Sequence, residues 1–218
     1  MTWADLGPLL WQGAKETGYM VGVSTVLTAI GGLLLGVLLV LTARGGLLAA
    51  RPVHAALGLI VNIGRSLPFI ILLVAIIPFT RALVGTTIGT AAAIVPLTVA
   101  AIPFFARIVE TAIREVDRDV VAAARAMGAS RPEIVFKVLL REARPGLVAG
   151  LTITVIALIG YSAMAGVVGG GGLGDLAIRY GYQRFENSVM VATVVLLVVF
   201  VQLIQSLGDL IVRWLSHK

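Results

Sequence analysis

Long hydrophobic stretches constrain the fold of this chain more than any other feature of its sequence. The stretch at 18–42 contains no charged residue, and a helix that crosses about 30 Å of hydrocarbon needs roughly 20 apolar residues. Five stretches are long enough to cross a membrane, at about 18–42, 55–79, 85–105, 146–168 and 189–212. Hydrophobic residues make up 59% of the 218 residues and charged residues 13%, about half the charge of a typical soluble domain. The sequence therefore predicts a single all-α integral membrane domain over 1–218 and excludes the soluble enzyme folds.

Basic residues are distributed unevenly between the segments that flank these stretches. With the N-terminus outside, the inside segments hold twelve Lys and Arg residues and the outside segments hold four. Cytoplasmic loops carry an excess of positive charge, so the sequence predicts the N-terminus outside and the C-terminus inside. The inside residues are Arg44, Arg51, Arg107, Arg114, Arg118, Arg125, Arg131, Lys137, Arg141, Arg144, Arg213 and Lys218. This distribution accounts for the net charge of +6, so nucleic acid is not predicted as a partner.

The N-terminal region has no basic segment and no small-residue cleavage site before the first stretch. Secretory signal peptides carry both features. We therefore expect 18–42 to be a retained span.

The longest inside loop, 107–145, carries eight basic and six acidic residues together with signals for two helices. Asp117 or Asp119 is placed to cap a helix with an apolar stripe over 120–127. Gly128 follows where a helix ends on a left-handed residue. Ser130 and Glu133 have the spacing of a capping box, which predicts a second helix with Ile134, Val135, Val138 and Leu139 on one face. The loop is therefore expected to be a structured element on the inner membrane face.

No motif for catalysis is present. None of the three Lys residues lies in a G-x-x-x-x-G-K-[ST] loop, so energy for active transport would have to come from a partner subunit or an ion gradient. Ser162 in the fourth stretch has no histidine nearby to act as the base that a serine nucleophile requires. Since the chain also lacks Cys, an H-E-x-x-H motif and a cluster of carboxylates, the sequence predicts no catalytic residue, no metal site and no cofactor.

The segment 169–174 fits the pattern G-x-G-x-x-G. A dinucleotide-binding role needs a preceding strand, whereas a predicted membrane helix precedes it here. Two interpretations stay open, a flexible turn between spans and a closely packed external loop.

Three polar residues, Asn62, Arg65 and Ser66, interrupt the second hydrophobic stretch. A charge at the centre of a bilayer costs at least about 2.5–3.5 kcal/mol, so Arg65 must be paired, hydrated or near an edge. One interpretation is a structural, capping or edge-reaching role, and the other is a protein-lined cavity. Pro68 predicts an irregular helix at this point.

The inside loop resembles the motif E-A-A-x3-G-x9-I-x-L-P of permease subunits in binding-protein-dependent ABC importers. Ala123, Ala124, Gly128 and Leu140 match it, while Ala122, Val138 and Arg141 replace the usual Glu, Ile and Pro. Longer stretches resemble the methionine importer permeases and cover nearly the whole chain. They include 62–79, 95–110, 163–166, 169–175 and 180–185.

This resemblance implies a homodimeric permease with two copies of an ATP-binding subunit inside and a lipid-anchored or periplasmic methionine-binding protein outside. It implies that the first helix of the inside loop couples to the ATPase. The coupling residues would be Arg118, Val121, Ala122, Ala123, Ala124, Arg125, Met127 and Gly128. Tyr161, Ser162 and Met164 are the corresponding candidates for the pathway or gate. The alternatives are an ion-gradient-driven secondary transporter, an ABC permease for a different small substrate, and a membrane scaffold that transports nothing.

Overall fold

The computed structural model describes the backbone of residues 3–216 and the side chains of residues 6–216, and the described chain consists of helices and connecting segments, without a strand. Lys218, one of the predicted inside charges, lies outside the described residues. The first half of the described chain contains α1 (Trp3–Thr42), α2 (Arg51–Ser66), α3 (Phe69–Ala75), α4 (Ile77–Val84) and α5 (Thr90–Arg114). The second half contains α6 (Arg118–Ala126), α7 (Arg131–Glu133), a π-helical segment (Ile134–Leu139), α8 (Leu140–Glu142), α9 (Arg144–Gly166), α10 (Gly172–Leu176), a second π-helical segment (Ala177–Tyr182) and α11 (Asn187–Ser216).

Four of the described helices are long and apolar enough to cross a membrane, and a bent pair raises the number to five. The four are α1, α5, α9 and α11, and the bent pair is α2 with α3. The predicted limits of the fourth and fifth spans agree with α9 and α11 to within a few residues. The first predicted span was too short, because α1 begins at Trp3. The third was displaced, because α5 begins at Thr90 and continues to Arg114. Both helices continue beyond the apolar stretch through charged residues. A hydropathy profile detects the apolar stretch but not this continuation.

The predicted second span is broken at Pro68. Its two halves, α2 and α3, meet at an angle of 105°. Leu67 adopts an extended conformation with ψ of 126°, as expected for a residue before proline, whose ring disfavours helical geometry in its predecessor. The stretch predicted as the second span, 55–79, therefore contains a sharply bent pair of helices, and the irregularity expected at Pro68 is confirmed.

Helix α5 is the centre of the molecule, because α1 and α9 approach it closely through glycines. A Cβ atom added at Gly36 of α1 would lie 2.6 Å from the carbonyl oxygen of Ala106, and one added at Gly150 of α9 would lie 2.2 Å from Ile108. Small residues let membrane helices approach in this way. In its most apolar stretch, α5 has 61% of its residues buried, whereas α11 has 11%.

The glycine-rich segment 169–174 packs against α1 at the end opposite to the inside loop. The backbone N–H of Gly172 donates to Oε2 of Glu16 at 2.8 Å, and that of Leu173 donates to Oγ1 of Thr17 at 2.9 Å. A Cβ atom at Gly174 would lie 2.4 Å from the carbonyl oxygen of Ala163. Of the two interpretations left open by the sequence, the structure favours the closely packed loop.

Candidate functional site

The first helix of the inside loop is built from local signals. Oδ1 of Asp117 accepts a hydrogen bond from the N–H of Asp119 at 2.9 Å, which caps the start of α6. Gly128 follows the helix with φ of +84°, a conformation that residues with a Cβ atom adopt at a cost. The N–H of Ala129 then donates to the carbonyl of Ala124 at 3.0 Å, which closes the helix end. The predicted cap, helix and terminating glycine are confirmed.

Helix α6 turns one side towards α5 and leaves another uncovered. Ala124 is buried in a core cluster with residues of α5, and Val121 is half-buried against the same cluster. Val120, Ala123 and Met127 are exposed, and the side chain of Met127 is 82% accessible. These three form an apolar outer stripe, since positions i, i+3 and i+7 share one helix face. Ala124, predicted as part of the docking surface, is instead used within this chain to pack α6 onto α5, so the predicted contact with an ATPase stays a prediction for the exposed residues of α6.

The second helix of the inside loop begins with the predicted capping box. The N–H and hydroxyl of Ser130 donate to Oε2 of Glu133 at 3.0 and 2.8 Å, and Nζ of Lys137 lies 2.9 Å from Oε1. These interactions, with the Lys137 hydrogen bond the largest, lower the pKa of Glu133 to about 2. The predicted apolar face is confirmed, with Val138 half-buried. The following turn is π-helical over Ile134–Leu139, which the sequence did not predict.

A buried ion-pair network lies at the end of α5, where sequence reasoning missed it. The carboxylate of Glu110 is 1% exposed, and it lies 2.5 Å from Nη1 of Arg107 and 2.6 Å from Nη2 of Arg114. Nη2 of Arg107 also donates to Oδ1 of Asn62 at 2.7 Å. A single Glu with Arg at i−3 and i+4 in an otherwise apolar helix was the available signal. This network joins α2 to α5.

The three polar residues of the second stretch do not share one site. Asn62 bonds to Arg107 of α5, and the hydroxyl of Ser66 donates to the carbonyl of Asn62 at 2.7 Å. Arg65 is exposed and has no carboxylate within ion-pair distance among the described residues. Asn62 and Ser66 are therefore held by hydrogen bonds within the chain, whereas both interpretations of Arg65 stay open.

The candidate pathway residues on α9 have different environments. Tyr161 is half-buried and stacks on Phe69 of α3 with ring centroids 4.7 Å apart. Ser162 is buried, and its hydroxyl donates to the carbonyl of Ile159 at 2.8 Å within its own helix. Met164 is 49% exposed. The stacked pair places the start of α3, directly after the bend, against α9.

Comparison with known proteins identifies the family. The sequence matches the family described as "Binding-protein-dependent transport system inner membrane component" over residues 32–218. This chain belongs to that family. The match begins within α1 and includes every later helix described above.

The described residues contain no group of three or more His, Cys, Asp or Glu side chains that could hold a metal ion.

Curated relatives extend the similarity to nearly the whole chain. The chain is 53% identical over 210 residues to the probable D-methionine transport system permease protein MetI of Vibrio cholerae, covering 96% of this chain and 93% of that protein. It is 45% identical over 168 residues to the methionine import system permease protein MetP of Bacillus subtilis, covering 77% and 76% respectively.

Two solved structures of ABC transporters contain a chain with the same fold as this chain. A chain of the MetNI methionine ABC transporter, solved in inward-facing conformations, superposes with a TM-score of 0.96 at 52% identity and covers 99% of both chains. An amino acid ABC transporter crystallised with histidines gives a TM-score of 0.80 at 18% identity, covering 96% of this chain and 95% of that one. The second likeness concerns the fold alone.

Proposed function

We propose that this chain is the membrane-spanning permease subunit of an ATP-driven methionine importer in the bacterial inner membrane. The observation that carries the proposal is the 52% identity and TM-score of 0.96 to a chain of the MetNI transporter over 99% of both chains. The relatives named for methionine transport include proteins from Vibrio cholerae and Bacillus subtilis. ATP hydrolysis is assigned to a separate subunit, because the sequence contains no Walker A loop.

Helix α6 is the proposed contact with the ATP-binding subunits, two copies of which would bind a permease dimer. The outer stripe of Val120, Ala123 and Met127 is apolar and uncovered, so it supplies a surface for a groove on a partner. Ala122, also exposed, lies on a different face of the helix. Gly128 fixes the turn after α6, which sets the direction of the helix against the membrane face. This arrangement requires the inside loop to be cytoplasmic, as the charge distribution predicts.

The translocation pathway is proposed to lie between two copies of the chain. Helix α11 leaves most of its apolar stretch uncovered, and a closed two-fold assembly buries the same surface on both subunits. Tyr161 and Met164 occupy neighbouring turns of α9, while Phe69 packs on Tyr161. We place these three side chains along the pathway and assign Ser162 to helix packing, since its hydroxyl is already bonded. A substrate-binding protein would dock on the opposite, external side.

Transport by reconstituted vesicles tests this function. The permease, the ATP-binding subunit and the substrate-binding protein are required together, so labelled methionine should enter vesicles only with all three present and ATP inside. Vesicles without the permease are the matched control. Methionine uptake driven by an ion gradient without the ATP-binding subunit would indicate a secondary transporter and contradict the proposal. Strong uptake of another small molecule, with none of methionine, would indicate an ABC permease of different specificity.

A further inference from the structure

A polar contact joins α2 to α5 within the membrane-spanning part of the molecule. Nη2 of Arg107 donates to Oδ1 of Asn62 at 2.7 Å. Arg107 lies about two turns before the end of α5, and Asn62 lies about one turn before the end of α2. The contact is therefore placed between the bend that follows α2 and the end of α5 that leads to α6.

Glu110 fixes the orientation of the Arg107 side chain in this contact. Its buried carboxylate lies 2.5 Å from Nη1 of Arg107, and its other oxygen lies 2.6 Å from Nη2 of Arg114. A guanidinium group presents its donors in a rigid planar fork. A carboxylate held on one nitrogen of Arg107 therefore directs the other nitrogen towards Asn62.

Apolar contacts hold α2 close to α5 but fix its position along α5 less firmly. Val61 is buried in a cluster with Ala106, and a Cβ atom added at Gly64 would lie 2.6 Å from Cγ of Pro103. Packing contacts of this kind are individually weak, whereas a hydrogen bond weakens steeply as its angle departs from linear. The bond between Arg107 and Asn62 therefore opposes sliding of α2 along α5.

Helix α5 connects this bond to α6. The side chain of Ala124 is buried in one cluster with Val109 and Ile113 of α5. The two helices are also close in sequence, because α5 ends at Arg114 and α6 begins at Arg118. A displacement of α6 is therefore transmitted to the end of α5.

Helix α2 connects the same bond to the candidate pathway. After the bend, Phe69 begins α3 and stacks on Tyr161 of α9. Leu72 and Leu73 of α3 are buried. Because α2 and α3 meet at 105°, a shift along the axis of α2 carries α3 nearly sideways. Such a shift changes the position of Phe69 relative to Tyr161.

We propose that Asn62 and Arg107 are positioning residues that transmit movement of α6 to the stacked pair of Phe69 and Tyr161. When the ATP-binding subunits displace α6, α5 moves with it, and the hydrogen bond makes α2 follow. The bend then converts the movement of α2 into a displacement of α3. The inference rests on the proposed function, since the ATP-binding subunits supply the movement.

The number of methionine molecules imported per ATP hydrolysed tests this role in vesicles that contain all three components of the importer. Asn62→Ala should lower the ratio by about fivefold or more, while hydrolysis stimulated by the substrate-binding protein continues. Asn62→Asp retains an oxygen acceptor for Arg107 and should restore most of the ratio. A contact with a purely structural role would lower uptake and hydrolysis in parallel, and an unchanged ratio in Asn62→Ala would overturn the proposal.

Two matched controls each remove a hydroxyl one turn beyond a partner of the bond. Ser66 donates to the carbonyl of Asn62 at 2.7 Å, and Thr111 donates to that of Arg107 at 3.0 Å, each within its own helix. Ser66→Ala and Thr111→Ala should therefore keep the wild-type ratio. An equal loss in these controls would show that the ratio responds to any polar change in α2 or α5, and the proposal would be wrong.

A double variant examines whether the two residues act through one bond. Arg107→Gln should lower the ratio as Asn62→Ala does, and the double variant should be no worse than Arg107→Gln alone, since effects of contacting residues are not additive. Additive losses would show that the residues act through separate contacts. If Arg107→Gln does not fold, Asn62→Ala and Asn62→Asp decide the question.

Hydrogen exchange of the full-length permease alone, in detergent, separates this inference from the proposed function. Without the bond, the backbone N–H groups of α3 should exchange about fivefold faster or more in Asn62→Ala than in the wild type. Ser66→Ala should show no such change. Unchanged exchange in Asn62→Ala would overturn the link between α5 and α3. If exchange rises as expected but wild-type vesicles import no methionine, the proposed function fails and the link stands.

Discussion

Glu110 is the charged residue that the described part of the chain buries most completely. Its carboxylate is 1% exposed, while the side chains of Arg107 and Arg114 are 29% and 53% exposed. Removing the carboxylate of Glu110 would leave the positive charges of Arg107 and Arg114 without their partner. Water can reach the two arginines in part, so we expect Glu110→Ala to lower the free energy of unfolding by about 1–3 kcal/mol, less than for a fully buried pair.

Thermal unfolding in detergent measures this effect. Glu115→Ala is the matched control, because Glu115 is exposed near the end of the same helix and makes no ion pair among the described residues. Equal melting temperatures for the two variants would show that the buried network contributes nothing to stability.

The stability of the inside loop is expected to depend on pH through the carboxyl group of Glu133. Its pKa in the folded chain is about 2, below the ordinary value of 4.5. A lowered pKa means that the stabilisation is fully present above about 4.5 and is lost as the pH falls towards 2. We therefore expect the difference in melting temperature between the wild type and Glu133→Gln to shrink over that range. Glu115→Gln serves as the comparison, and a difference independent of pH would contradict the assignment.

The residues that could be predicted from the sequence are those whose partners lie within one helical turn. Asp117, Gly128, Ser130 and Glu133 act on backbone or side chains two to four residues away, so spacing alone identified them. Asn62 and Arg107 are 45 residues apart, and only the approach of α2 to α5 brings them together. For the same reason, the burial of Ala124 could not be deduced before the packing partner of α6 was known.

Among the elements, α6 depends on a single backbone conformation after its last turn. A Cβ atom at Gly128 would meet no other atom within 4 Å, but φ is +84°, so Gly128→Ala introduces backbone strain without a clash. We expect a loss of about 1–2 kcal/mol in the stability of this turn. Substrate-stimulated ATP hydrolysis by the assembled complex should fall as the orientation of α6 is lost.

A glycine in an ordinary helical conformation is the control for this substitution. Gly58 also has no atom within 4 Å of an added Cβ, and it lies inside α2, where alanine is the better helix former. Gly58→Ala should therefore keep or raise the melting temperature and leave stimulated hydrolysis intact. If both variants behaved alike, the positive φ of Gly128 would not be what orients α6.

Hydropathy predicted which elements cross the membrane better than it predicted their shape. It located α9 and α11 because an apolar stretch there coincides with one helix. It joined α2 and α3 because both are apolar, although Pro68 makes the chain change direction by 105°. It also shortened α1, whose N-terminal half carries Lys15 and Glu16 and contacts the glycine-rich loop through Glu16 and Thr17.

At the scale of the whole molecule, the orientation in the membrane is the prediction on which the other assignments depend. The chain contains no Cys, so a single introduced cysteine reports its side of the membrane without background. A membrane-impermeant maleimide added to intact cells should label Gln183→Cys, in the external segment, and should not label Met127→Cys. In cells that lack the ATP-binding subunit, which would otherwise cover Met127, permeabilisation should lead to labelling of both. Labelling of Met127→Cys in intact cells would reverse the topology and remove α6 from the ATPase side.

The hydrogen bonds from Gly172 and Leu173 to Glu16 and Thr17 also have a consequence for biosynthesis. Each joins residues 156 positions apart, so these two partners of the first helix are synthesised long after it has left the ribosome. The N-terminal half of α1 therefore lacks these contacts until α9 and α10 have been synthesised. Contacts so distant in sequence form late. In a nascent chain that stops before Gly172, the carboxylate of Glu16 lacks the backbone N–H that donates a hydrogen bond to it in the finished protein.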